Sequence, residues 1–185
     1  MLKSTFRNLF YIIKFRASSI IFVLVLLIIG FSFRYLDQSP NILSEHSLEI
    51  PLVLNGEKLI QHTGYSFVYS EEHEQAKWIA YELTKEETNS LFERTDKFLV
   101  DPMVSTGTAE NADYANSGYD KGHLAPAADM GWSAVTMKES FYLSNMSPQL
   151  PGFNRGVWKR LEEMMRSWAL DNSAIYIVTG PVLTT

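Results

Sequence analysis

The sequence predicts an α+β domain built around an antiparallel sheet and preceded by one transmembrane helix. Three observations carry this. Residues 17–33 form a charge-free apolar run. Two aromatic and β-branched stretches, 65–69 and 78–83, flank the polar residues 70–75, as the arms of a hairpin flank its turn. Further on, Val157, Trp158, Leu161, Met164, Met165 and Trp168 recur on one face at helical spacing, with charges filling the rest.

Residues 1–16 contain Lys3, Arg7, Lys14 and Arg16 and no acid. The run that follows is apolar on every face, so a core helix fits it poorly. At 17 residues it sits at the lower edge of what crosses a bilayer. A cleaved signal peptide would need small residues after the run, whereas Phe31-Ser32-Phe33-Arg34-Tyr35 is bulky. A transit peptide would not carry so long an apolar run. The expectation is an uncleaved transmembrane signal anchor at 17–34. The basic flank stays in the cytoplasm and the rest lies outside it, on the periplasmic side in a bacterium. Residues 35–49, with Ser39-Pro40, read as a linker, and 50–185 as the folded domain.

The absence of cysteine excludes disulfides, thiolate zinc sites and a cysteine nucleophile. All 21 acidic residues lie from Asp37 onward, against eleven basic ones there, a net of −10. That balance counts against a protein that coats nucleic acid passively. It leaves room for an enzyme with a local basic site.

In chain order, His62 and His73 read as surface histidines and His46 as part of the linker. Residues 103–118, rich in Ser, Thr, Gly, Asn and Ala, read as a long loop of the functional kind. Residues 130–132 read as a small turn, 140–144 as a short strand and 145–149 as an irregular connection. Asn154 reads as the N-cap or first-turn residue of the amphipathic helix, with Met164 and Met165 in the core. Residues 174–178 read as a buried strand.

The chemistry concentrates at Asp120-Lys121-Gly122-His123-Leu124-Ala125-Pro126. Gly122 lets the backbone approach closely, and Pro126 ends regular structure. A histidine beside a cation suits a general base acting near a phosphate. With Asn154 opening a helix 31 residues later, a strand–strand–helix order can hold one divalent cation. Mg²⁺ prefers oxygen, keeps several waters and takes one or two protein ligands. The Asn154 carboxamide is a neutral ligand of that kind, and His123 beside it can take a proton from water.

Together with Ser144-Asn145-Met146-Ser147-Pro148-Gln149 and Asn154-Arg155-Gly156-Val157-Trp158…Leu161-Glu162, this stretch resembles the DNA/RNA non-specific endonucleases, the sugar-non-specific ββα-metal nucleases. The resemblance runs from residue 65 to the end of the chain. It implies a Mg²⁺-dependent phosphodiesterase, with Mn²⁺ as another candidate cation, cutting DNA and RNA to leave 5′-phosphates. It also implies roles. His123 is the general base and Asn154 the metal ligand. Asn145 and Gln149 support the site, Glu162 lies near metal-bound waters, and Arg94 steadies the phosphate. Lys121 stands where the family signature has arginine, which keeps the charge and loses the bidentate fork. Family members continue with further strands, so the domain is expected to be incomplete at its C-terminus, with an open sheet edge.

Each residue also has a plain structural role open to it. Asn154 can cap its helix, Glu162 can pair with Arg166, Asn145 can satisfy a turn, and Arg94 can be a surface charge. A second function therefore stands beside the first: a catalytically silent anchored module that binds nucleic acid or a protein. The −10 charge, Lys121 and the early stop speak for it.

Overall fold

The computed structural model describes residues 48–184. The basic leader, the expected transmembrane anchor, nearly all of the expected linker and His46 lie outside the described residues. Among the described residues, no helix is long and apolar enough to cross a membrane.

The fold is α+β with two antiparallel sheets. Strands β1 (Leu59–Gln61), β2 (Ser66–Ser70), β3 (Gln75–Thr84) and β6 (Ala174–Thr179) form the larger sheet in the order β1-β2-β3-β6. The hairpin expected from the sequence is β2–β3, with a register shift at Val68/Tyr69. Beyond that shift the odd residues Ile79, Tyr81 and Leu83 face inward, as the two-residue period of a strand requires. They meet Phe67, Leu124, Ala125 and Met130 in the main core. Each large apolar side chain buried there contributes about 1.5–3 kcal/mol.

The smaller sheet pairs β4 (Asp120–His123) with β5 (Met146–Gln149), placing His123 opposite Met146 and Gly122 opposite Ser147. Residues 145–149 are thus largely a strand rather than an irregular connection. Pro148 is tolerated because a two-stranded ribbon has free edges. Between β4 and β5 the chain forms helix α2 (Ala134–Ser140), an element not among those expected from the sequence. Ser133 caps it, its Oγ accepting from Val135 N at 3.1 Å and Thr136 N at 3.3 Å. The strand expected at 140–144 is absent. Ser140 ends α2, Tyr142 makes one isolated bridge to Leu99, and Leu143–Asn145 is a 3₁₀ turn. Its aromatic and Ser-rich composition is used for packing, with Phe141 and Leu143 fully buried.

The 103–118 loop contains one short helix, α1 (Asn111–Tyr114). After β5 the chain enters a π-helical stretch, Phe153–Trp158, and continues as α3 (Lys159–Asn172). Asn154 is therefore not an N-cap: its N–H already donates to Leu150 O at 2.9 Å. The expected apolar face of α3 is only half covered. Met164 and Trp168 are 48% and 44% exposed, and Ala169 is the α3 residue that is fully buried. Likewise β6 is an edge strand with Tyr176 and Val178 open on one face. Periodicity identified which side is apolar; it does not show what covers it.

Candidate active site

The ββα unit brings the chemistry together. His123 ends β4, and two contacts fix the backbone around it. Trp158 Nε1 donates to His123 O at 3.1 Å, tying the strand to the π-helical stretch. Fully buried Asn145 braces the turn that follows: its Oδ1 accepts from Ala125 N at 2.8 Å. Its Nδ2 donates to Ala125 O at 2.8 Å and Ser140 O at 2.7 Å. Gln149 packs flat against Gly122, where a Cβ would overlap the Gln149 carboxamide. This is the close approach that requires glycine before the histidine.

His123 is 7% exposed, with the Phe141 ring edge-on at 5.0 Å and Phe98 at 6.0 Å. Burial and then the nearby Arg94 charge push its pKa down to about 3, so the ring is neutral at ordinary pH. Its Nε2 is buried without a partner among the described residues. The ring lines a cleft of 420 Å³ with Arg94, Lys121, Asn154, Arg155, Lys159, Glu162 and Arg166. Of the residues singled out in the sequence, His123, Arg94, Lys121, Asn154 and Glu162 share this cleft, whereas Asn145 and Gln149 stand behind it.

The individual settings differ. Arg94 Nε lies 2.5 Å from Asp96 Oδ1, and its guanidinium sits 5.0 Å from the Phe141 ring centroid. Lys121 Nζ donates to Asn111 Oδ1 at 2.9 Å and sits 4.6 Å from the Phe98 centroid. Asn154 Nδ2 donates to Asp120 Oδ2 at 3.0 Å; among the described residues, no hydrogen bond reaches its side-chain Oδ1. Burial first, then the Asp129 charge, raise the Glu162 carboxyl to about 7. Glu162 does not pair with Arg166, whose Nη1 donates instead to buried Asp129 Oδ1 at 2.7 Å.

Two carboxylates that the sequence reading did not single out organise the walls. Asp120 accepts from Asn154 and, in a two-toothed grip, from Arg155 Nε at 2.7 Å and Nη2 at 2.6 Å. Those donors hold its carboxyl below the usual range. Asp129 accepts from Tyr81 OH at 2.8 Å and from Arg166, joining β3 to α3 through the turn after His123. Only spacing could have indicated this: Asp120 opens the His123 segment and Asp129 closes it. His62 also corrects the sequence reading. Its side chain is buried, its Nε2–H donating to Asp101 Oδ2 at 2.8 Å, with Ser144 Oγ donating to the same oxygen at 2.5 Å. The aromatic neighbours Tyr65, Phe67 and Tyr142 enclose it, and nothing local in sequence places Asp101 beside it.

The similarities to known proteins agree with this arrangement. Residues 48–185 match the DNA/RNA non-specific endonuclease family along the whole folded part. The chain belongs to that family. It is 36% identical over 127 residues to human mitochondrial endonuclease G, covering 68% of this chain and 43% of that protein. It is 38% identical over 149 residues to nuclease C1 of Cunninghamella echinulata var. echinulata, covering 78% and 58% respectively. In a solved EndoG/EndoGI complex, one chain superposes with a TM-score of 0.63 at 34% identity, covering 66% of this chain and 52% of that one. The chain thus spans less than two thirds of each of these relatives.

The non-specific endonucleases are nucleases that depend on a metal, typically a divalent cation. No group of three or more His, Cys, Asp or Glu that could hold a metal occurs among the described residues. A hard cation that keeps most of its waters does not need one. The Asn154 Oδ1, without a donor among the described residues and held by the Asp120 contact to its amide nitrogen, fits such a cation, and Glu162 adds a carboxylate to the same cleft. Lys121, Arg155, Lys159 and Arg166 make the surroundings cationic, which suits a phosphate more than a bare metal.

Proposed function

We propose that this chain is a non-specific endonuclease that hydrolyses phosphodiester bonds of DNA and RNA with Mg²⁺, anchored in a membrane by residues 17–34 with its folded part outside the cytoplasm. One observation carries the reaction: a buried, neutral His123 shares a cationic cleft with the Asn154 Oδ1, which no donor among the described residues uses. Asn154 would hold the cation with Glu162 nearby, and the cation supplies Lewis-acid polarisation of the phosphate. His123 takes the proton from the attacking water. With Nε2 enclosed by protein, Nδ1 is the nitrogen through which it does so. Arg94 and Lys121 bring fixed positive charge to the phosphate oxygens, where charge builds up in the transition state. Asp120 orients Asn154, and Asn145 with Trp158 keeps His123 in place.

The test is the full chain mixed with plasmid DNA or RNA, with Mg²⁺ or with a chelator. Cleavage of both nucleic acids that the chelator abolishes is the expected result. Salt-dependent binding without cleavage in any divalent cation would overturn the reading in favour of a silent binding module.

A further inference from the structure

Beside the His123 cleft runs a second groove, of 300 Å³, at the lower end of the roughly 300–1,000 Å³ range of ligand pockets. The two are continuous: Arg94, Ala127 and Ala128 line both. Leu91 and Phe92 line it and stay open to solvent, 75% and 42% exposed. These side chains are not on a loose loop. Leu91 N and Phe92 N both donate to Gly131 O, at 2.8 Å and 3.0 Å. Ser90 presses so closely on Gly131 that a Cβ there would strike its Oγ. The backbone is held while the aromatic face stays open.

We propose that Phe92 is a base-stacking residue that seats an unpaired nucleobase next to the scissile phosphate, giving the enzyme a preference for single-stranded nucleic acid. The inference rests on the nuclease reading of the cleft, and it adds the substrate form. The groove's chemistry selects a base over a second phosphate. Its one cation, Arg94, is shared with the catalytic cleft, and Glu93 would repel an anion. Ala127, Ala128 and Met137 give it an apolar floor. Every base has a π-face, so stacking on one aromatic is tolerant of sequence. A paired base would first have to leave its stack, which costs a few kcal/mol.

The experiment uses the full chain with His123→Ala, so that bound DNA stays intact, in Mg²⁺. The probes are a short fluorescein-labelled single strand and the duplex of the same sequence. Adding Phe92→Ala is expected to weaken single-strand binding roughly 5- to 150-fold and duplex binding far less. Phe92→Trp is expected to restore it. In the active parent, Phe92→Ala should raise KM for single strands and leave kcat nearly unchanged. An equal loss on both probes, a loss that Trp does not restore, or no loss at all would overturn the stacking role. A parent that binds single strands through Phe92 yet cleaves nothing would overturn the nuclease reading and leave the stacking role standing.

Discussion

At His123, burial and basicity pull in opposite directions. The unfolded histidine protonates near 6.5, and the folded one only near 3. The stability tied to its neutral form is therefore complete above 6.5 and is lost as the pH falls towards 3. His123→Gln should flatten the loss of stability between pH 6.5 and 4, read as the urea midpoint without metal. Glu162 behaves oppositely: its folded value, about 7, lies above the ordinary 4.5. Its protonated form stabilises the fold fully below 4.5, and that contribution is lost as the pH rises through 7. Glu162→Gln should stabilise the metal-free protein at pH 8, by on the order of 1–2 kcal/mol after discounting for its remaining solvent contact. An unchanged midpoint at pH 8 would show that solvent already relieves this carboxylate. At Gly122 the prediction is steric. Gly122→Ala forces the Gln149 carboxamide to move, and both activity and melting temperature should drop together.

Among the elements, the β4–β5 ribbon and the helix after it are held by a few buried polar contacts. Asn145 makes three side-chain hydrogen bonds with no exposure to water. Asn145→Ala leaves the Ala125 N–H, Ala125 C=O and Ser140 C=O without these partners, so a loss of about 3–5 kcal/mol is expected, seen in chemical denaturation. Asn145→Asp keeps the acceptor but sets a buried carboxylate oxygen against the Ala125 and Ser140 carbonyl oxygens, so at neutral pH its loss should equal or exceed that of the alanine variant. This brace also marks where the sequence could be read and where it could not. The motif around Asn145 pointed to site support, but the local composition suggested an irregular connection where there is a strand. The ladder that decides the matter is long-range, from residues 146–149 to 120–123. The hairpin β2–β3 was legible because its signal is local alternation. Helix α2 was missed, although Ser133 before a run of helix-tolerant residues was available as a cap. Periodicity in α3 identified its apolar side correctly; burial, which depends on distant partners, did not follow.

For the whole molecule, the contrast is between a chain that is −10 from Asp37 onward and a cleft lined by five cations, Arg94, Lys121, Arg155, Lys159 and Arg166. Acidic surroundings repel nucleic acid and keep non-specific coating weak, while the cationic cleft focuses attraction at one place. Affinity for DNA should therefore fall with salt, and with a shallower slope than a protein contacting many phosphates. Two of the charges that shape the cleft, Asp120 and Asp129, could not be read as such, because their partners lie 35 and 37 residues away. The His123 segment and Asn154 were legible because their motifs are contiguous.

In the proposed reaction His123 takes the proton in a cation-dependent cleavage. The most direct measurement is the rate at which the full chain and its His123→Ala variant nick plasmid DNA in Mg²⁺, with DNA affinity measured in parallel. The expected rate for His123→Ala is lower by about 10²–10⁴-fold, with affinity little changed. A variant that cleaves as fast as its parent would contradict it.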